Sequence, residues 1–325
     1  MDLVPVIDLT SAREGGPADR RRVARLIDDA CVAIGFFTIA GHGVPEAVSR
    51  NLRSAAHAFF AMPLEAKRRA SPRDTRTPRG YHALGGEALA AANDTLAPPD
   101  LKEFYHVGPV DVGDDPYYTS SKGRQFFLAN IWPDDPPGFR GAATAYYRTM
   151  HRLVVFLMRL TALGLGLDET HFDDKVNRSI GTMRLNYYPR QHRPPLPGQL
   201  RAGAHTDYGG LTILNGEDVP GGLQVRARDG RWIDVRTGPD HFVVNIGDLL
   251  MRWTNDRWLS NLHRVVNPPQ GGQAARLSIA FFNHPNWDVM IECVAPAGLA
   301  KYEPVMSGDY RDLKYAKTGL APTTP

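Results

Sequence analysis

The sequence predicts an α+β fold, mainly β, in which a double-sheet jelly roll or barrel carries helices packed outside the sheet. Helical periodicity lies in the first half of the chain, strand-like runs cluster after residue 180, and Gly, Pro, Asn or Asp turn signals separate those runs. At 325 residues and 42% hydrophobic content, the chain can bury a substantial core.

In the segment 19–37, Val23, Leu26, Ile27, Ala30 and Ile34 recur at three- and four-residue intervals and so share one helix face. A second helix is expected after Pro45, through Val48, Leu52 and Phe59, and a longer third from about 141 to 165. The runs MRLNYYP, GAHTD, LTIL, GLQVRA, RWIDV, HFVVNIGD, SNLHRVV and RLSIAFF are rich in β-branched and aromatic residues and read as short strands. ARDGR predicts a hairpin with Asp229 and Gly230 at its turn, and NIGD, 245–248, predicts a tight turn. SPRDTRTPRG, 71–80, and QHRPPLPG, 191–198, read as loops, the first with a solvated cluster of Arg73, Arg76 and Arg79.

A net charge of +3 with 22% charged residues is too weak a basic balance to argue for nucleic acid or an anionic membrane. Of the basic residues, 31 are Arg and 7 are Lys, which reads as GC-rich codon usage. Cys31 and Cys293 match no zinc or disulfide spacing and suit a reducing compartment. The start, MDLVPVIDLTSAR, lacks the basic and apolar segments of a signal peptide, and the best apolar run, LVVFLM at 153–158, is flanked by Arg152 and Arg159. The expectation is a cytoplasmic protein with a small-molecule partner.

The candidate chemistry starts at HTDYGGLTIL, 205–214. Alternate residues of a strand point to one face, so His205 and Asp207 are expected to project together. With a second histidine these make a 2-His-1-carboxylate facial triad, which holds non-haem Fe(II) with coordination positions open. His263, in a strand-like run 56 residues further on, is the candidate. A second His-x-Asp, His171 and Asp173, lies in an acidic stretch without β-branched residues that resembles a helix start, and is taken as a decoy.

Two further alternations accompany the triad. In RLSIAFF, Arg276 and Ser278 share a face, and a guanidinium turned inward needs an anion to meet it. Its planar fork suits a carboxylate, with an internal salt bridge as the structural alternative. In RLNYYP, Arg184, Asn186 and Tyr188 form one polar face and Leu185 and Tyr187 the other.

These residues, in this order, resemble the Fe(II)- and 2-oxoglutarate-dependent oxygenase family, in its isopenicillin N synthase-like branch, and suggest a bacterial member. PVIDL, GFFTIAGHGVP and DLKEFYHVG look like the family's N-terminal region; NYYP, HTDYGGLTIL, GGLQV, DGRW, VVNIGDLL, TNDRWLSNLHRVV and RLSIAFF look like its catalytic core. The resemblance implies a distorted double-stranded β-helix barrel with helices on one sheet. It implies an N-terminal region, 1–120, in one compact unit with a core, 121–325, whose Fe(II)- and 2-oxoglutarate-binding part is about 178–287. His205, Asp207 and His263 are then the iron ligands and catalytic centre, Arg276 and Ser278 hold the distal carboxylate of 2-oxoglutarate, and Tyr188 and Asn186 help hold the co-substrate. Arg184, Phe104, Tyr105, Phe282 and Asn283 are candidates for substrate contact, with Tyr302 to Tyr315 as a lid, and His42 lies outside the metal site.

The implied reaction uses O2, with ascorbate as a support in vitro. It hydroxylates, desaturates or cyclises a small amino acid, peptide or natural-product intermediate, with 2-oxoglutarate going to succinate and CO2, in a monomer. Departures are Leu277 in place of a common aromatic, a longer NPPQGGQAA loop and the connection NGEDVPGG. Two alternatives stand beside this reading: a 2-oxoglutarate-independent iron oxidase of the isopenicillin N synthase or aminocyclopropane-carboxylate oxidase type, in which the arginine meets a substrate carboxylate, and a non-catalytic jelly-roll binding protein.

Overall fold

A computed structural model describes residues 4–74, 76–90, 98–238, 240–269, 274–294 and 299–317. The chain begins β1 (Val6–Asp8), α1 (Thr10–Glu14), α2 (Pro17–Ala33), β2 (Phe36–Ala40), α3 (Glu46–Phe60), α4 (Leu64–Arg68), β3 (Gly80–His82) and β4 (Glu103–Val107). Four helices follow: α5 (Pro116–Thr119), α6 (Ser121–Phe126), α7 (Phe139–Gly164) and α8 (Asp173–Val176). Then come β5 (Thr182–Tyr188), β6 (Ala202–His205), β7 (Leu211–Gly216), β8 (Leu223–Arg226), β9 (Trp232–Asp234), β10 (Phe242–Ile246) and α9 (Asp248–Trp253). The last elements are β11 (His263–Val265), β12 (Arg276–Phe282), β13 (Met290–Ile291), β14 (Val305–Met306) and α10 (Ser307–Lys317).

The three helices expected from periodicity are α2, α3 and α7. Proline suits the first turn of α2, where its missing N–H needs no partner, and Asp19 accepts a hydrogen bond from the Gly16 amide at 3.2 Å. The hairpin expected at ARDGR joins β8 to β9, with Gly230 at a φ of +86° and the Ala227 amide donating to Arg231 O at 2.7 Å. NIGD is not a tight turn: Gly247 precedes α9, whose first turn carries Asp248.

The strands form an eight-stranded sheet in the order β1-β2-β10-β7-β12-β5-β4-β3, a four-stranded sheet β6-β11-β8-β9 and a two-stranded sheet β13-β14. Alternation sorts the large sheet into two faces. Leu185, Ile213, Val244, Leu277 and Ile279 point into one large core shared with Val23 and Ile27 of α2, Leu52 and Phe59 of α3, and Tyr146 and Met150 of α7. The other face meets the small sheet, where Phe36 and Val243 pack with Leu223 and Val225.

The expected double-stranded β-helix barrel is corrected by this topology. Among the described residues no strand of one sheet pairs with a strand of another, and each sheet ends in open edges, β1 and β3 for the larger, β6 and β9 for the smaller. The fold is a mixed α+β arrangement of open sheets. Alternating side chains assign a strand's faces but say nothing about which edges meet, and closure further requires consistent tilt and stagger around the ring.

Phe59 ties the helices to the sheet. It is fully buried, with ring centroids 5.1 Å from Tyr105, 5.4 Å from Phe139 and 5.7 Å from Tyr81. Phe59→Ala is expected to lower unfolding stability by about 3–5 kcal/mol, read from the denaturant midpoint. A loss under about 1 kcal/mol, small for a truncated core aromatic, would show that this cluster does not hold the layers together.

Candidate active site

Between the two sheets lies a cleft lined from both sides. From the large sheet, one face of β5 contributes Arg184, Asn186 and Tyr188, and the paired face of β12 contributes Arg276, Ser278 and Phe282. From the small sheet come His205 at the end of β6 and His263 at the start of β11, which face each other in register. Asp207 lies beyond the end of β6, so its approach to His205 comes from the connection to β7 rather than from strand alternation. That connection passes from the small sheet to the large one. It is held by the amides at the start of α9: Gly247, Asp248 and Leu249 donate to the carbonyls of Gly210, Asp207 and Gly209 at 2.7, 2.7 and 3.1 Å.

The ligating atoms of His205, Asp207 and His263 lie within 4.8 Å of one another. Each imidazole is oriented from behind, since Nδ1 of His205 meets Gly203 O at 2.7 Å and Nδ1 of His263 meets Asn261 O at 3.1 Å. A carbonyl can only accept, so each Nδ1 carries the proton and each Nε2 presents its lone pair. Burial, helped by the neighbouring His263, holds His205 well below its ordinary value and so favours the neutral ring, the state a metal ligand needs. Burial works to raise Asp207, but the two imidazoles and hydrogen bonds from Asn245 and Thr212 hold it below its ordinary value. Asn245 Nδ2 donates to Asp207 Oδ2 at 2.7 Å, while Oδ1 stands 3.8 Å from His263 Nε2. Asn245 therefore fixes which carboxylate oxygen faces the histidines.

Along β12 from the triad the cleft ends at a buried cation. Arg276 is 1% exposed, and its three guanidinium nitrogens have no hydrogen-bond partner among the described residues. Its guanidinium lies over the Tyr188 ring at 5.5 Å, Ser278 is equally buried, and burial lowers the Arg276 pKa. Gly216, opposite Ser278, makes room for the fork: a Cβ there would stand 2.6 Å from Arg276 Nη2. A buried, unpartnered guanidinium calls for an anion.

Other expected site residues lie elsewhere. Tyr105 is corrected as a candidate substrate contact: it points to the opposite face of β4, into the helix-packed core, and its hydroxyl donates to Ile131 O. Phe104 is buried behind Arg184, whose guanidinium sits 4.4 Å from its ring centre, and Asn283 is buried without lining the cleft. Of the segment expected as a lid, Tyr315 on α10 reaches the cleft, 6.3 Å from the Tyr208 ring. Of the loop NPPQGGQAA, residues 270–273 lie outside the described residues. His171 and Asp173 do not join a metal cluster; Asp173 starts α8 and pairs with Arg159 at 2.8 Å. His42 stacks on Phe242, away from the triad.

The sequence reading missed Glu87, Lys102, His106, His284 and Asn245, all of which line the cleft. Alternation in DLKEFYH was the available signal, placing Lys102, Phe104 and His106 on one face.

Residues 4–135 match the family described as non-haem dioxygenase in morphine synthesis N-terminal, and residues 179–285 match the 2OG-Fe(II) oxygenase superfamily. A 2-oxoglutarate-Fe(II) type oxidoreductase of Emericella nidulans, hxnY, is 33% identical over 94% of this chain and 87% of its own. The chain belongs to the Fe(II)/2-oxoglutarate oxygenase superfamily. Validamycin A dioxygenase of Streptomyces hygroscopicus is 32% identical over 91% of this chain and 80% of its own. The crystal structure of a full-length Neurospora crassa protein in complex with alpha-KG aligns with a TM-score of 0.84 at 32% identity, covering 96% of this chain and 95% of that one.

This superfamily member is an enzyme, an Fe(II)- and 2-oxoglutarate-dependent oxygenase. Its residues fit both groups. Two imidazoles and a carboxylate converging from one side are the donor set of a non-haem Fe(II) site, and the orphaned guanidinium at the end of the cleft awaits a carboxylate. No helix among the described residues is long and apolar enough to cross a membrane.

Proposed function

We propose that His205, Asp207 and His263 hold the iron, and that Arg276 and Ser278, with Tyr188 and Asn186 beside them, hold 2-oxoglutarate by its distal carboxylate. One observation carries this reading: a three-ligand cluster and an unpartnered buried guanidinium share one cleft. When bound, iron and 2-oxoglutarate supply the oxidising chemistry, in which O2 is consumed, 2-oxoglutarate goes to succinate and CO2, and the substrate is hydroxylated, desaturated or cyclised.

The chain's own contribution is position. The carbonyls of Gly203 and Asn261 lock the ring orientations, Asn245 occupies one oxygen of Asp207, and Arg276 anchors the co-substrate at a fixed distance from the triad. Leu223 and Val265 of the small sheet line the cleft beside these groups and exclude water from it. We place the enzyme in the isopenicillin N synthase-like branch, as a bacterial, cytoplasmic monomer with 1–120 and 121–325 in one unit and ascorbate as an in vitro support. The names of its relatives support a small polar substrate: the Neurospora crassa protein was also solved with thymine and with 5-formyluracil, and other relatives are named as proline and homoarginine hydroxylases.

Anaerobic reconstitution with Fe(II), followed by O2 and 2-oxoglutarate with candidate small molecules, tests the assignment. Equimolar O2 uptake and succinate release, stimulated by the true substrate, is expected. Substrate oxidation without succinate would assign Arg276 to a substrate carboxylate.

A further inference from the structure

The cleft has a second end. Six residues along β12 from Arg276 stands Phe282, paired with Thr182 of β5, and around them lie Arg184, His106 and His284. If Arg276 and Ser278 take the co-substrate, as proposed above, this end is left for the primary substrate.

The charges that line it are already paired. Glu87 sits between Arg184 Nη1 at 2.9 Å and Lys102 Nζ at 2.8 Å, and Lys102 also meets Asp100 at 2.7 Å. Two cations thus face two anions in a buried chain along the cleft wall, while the further guanidiniums near His106 do not line the cleft: Arg79 donates to the carbonyls of Leu128, Pro78 and Phe126, and Arg311 pairs with Asp312 at 3.3 Å. Burial works to raise Glu87, yet Arg184 and Lys102 hold it down at about 2, so the chain stays ionised and internally balanced. The histidines add no charge. Burial, together with the nearby guanidiniums, lowers His106 well below its ordinary value, and burial pushes His284 down to about 3.

What this end lacks is hydrogen-bond partners. His106 is 2% exposed, and neither of its ring nitrogens has a partner among the described residues; the same holds for His284 Nδ1 and Arg184 Nε. A neutral imidazole offers one N–H and one lone pair, and the Arg184 Nε offers a further N–H. Buried polar groups are satisfied in working proteins, by protein, water or ligand.

We infer that the primary substrate is an uncharged polar molecule bearing an adjacent hydrogen-bond donor and acceptor, of the amide or imide type, seated against His106 and Arg184. A carboxylate entering here would face the Glu87 carboxylate already on Arg184. An ammonium would face Arg184 and Lys102 with no unengaged anion to receive it.

Matched ring probes separate these classes: glutarimide, uncharged with donor and acceptor; cyclohexanecarboxylate, an anion; and cyclohexylamine, a cation. Binding is measured by saturation-transfer NMR on protein loaded with Zn(II) and 2-oxoglutarate, which is inert to oxygen. Glutarimide is expected to bind at least about tenfold tighter than either charged probe, because a site built around polar partners discriminates strongly against ligands that leave them unmet. His106→Leu is expected to weaken glutarimide binding by about tenfold or more without changing 2-oxoglutarate affinity, and His106→Gln, which keeps a donor and an acceptor, to restore most of it. A charged probe binding as tightly as glutarimide on the wild type, or equal glutarimide affinity in His106→Leu, overturns the inference. A protein that takes up neither metal nor 2-oxoglutarate would instead fail the site assignment on which it rests.

Discussion

Arg276→Leu is expected to leave iron in place and to abolish the grip on 2-oxoglutarate. Truncating one partner of a buried, hydrogen-bonded charge pair costs about 2–5 kcal/mol, so affinity should fall roughly 30-fold or more, measured by calorimetry with a redox-inert metal bound. The variant has a second signature. Without co-substrate, Arg276 is a buried cation whose guanidinium has no hydrogen-bond partner among the described residues and only the Tyr188 ring and the more distant Glu217 carboxylate to offset its burial, and replacing such a poorly compensated charge by an apolar side chain is not expected to destabilise. The co-substrate-free variant should therefore melt at or above the wild-type temperature, while losing the upward shift that 2-oxoglutarate gives the wild type through linkage. Unchanged co-substrate affinity would remove Arg276 from the assigned role.

His205→Ala and Asp207→Ala are expected to lose iron. Changing groups that merely orient metal ligands typically costs about 10–100-fold in affinity, and removing a ligand should cost at least that. Metal content after reconstitution and dialysis reads the result, with succinate formation falling in parallel. His171→Ala is the control: its side chain joins no cluster, and its iron content should match the wild type. Full iron occupancy in Asp207→Ala would show that the carboxylate is not a ligand.

The sequence carried the chemistry further than the architecture. Alternation in RLNYYP and RLSIAFF sorted Arg184, Asn186, Tyr188, Arg276 and Ser278 onto the cleft face, because a strand's period of two survives whatever its neighbours are. The same rule brought Asp207 to His205 for the wrong reason: the two do converge, but Asp207 sits on a connection between sheets, where position is set by hydrogen bonds to α9 that no local pattern announces. Tyr105 went astray for a simpler reason: Lys102 and its neighbour His106 line the cleft, so alternation turns Tyr105 to the core. The balance of Glu87, Lys102, Asp100 and Arg184 was out of reach, since it joins a loop, a strand entry and a distant strand. Sheet closure was equally illegible, because pairing between edges is a property of the assembled chain.

The open edges carry a consequence for solubility. A ring of strands would leave no edge, whereas this chain ends its two main sheets in four edge strands, two of which turn outer groups onto their own chain: the Tyr81 amide of β3 donates to Ala70 O and its carbonyl accepts from Ser71 Oγ, and the Gly203 amide of β6 donates to Asp100 Oδ1. Those strands are short: β1, β3 and β9 have three residues each and β6 has four. Pro5 stands immediately before β1, and β9 ends in Asp234 and is preceded at its hairpin turn by the charges Asp229 and Arg231. A rim this brief, interrupted by proline and charge, offers an intruding strand too few rungs to hold, so the chain keeps open sheets without inviting edge-to-edge aggregation.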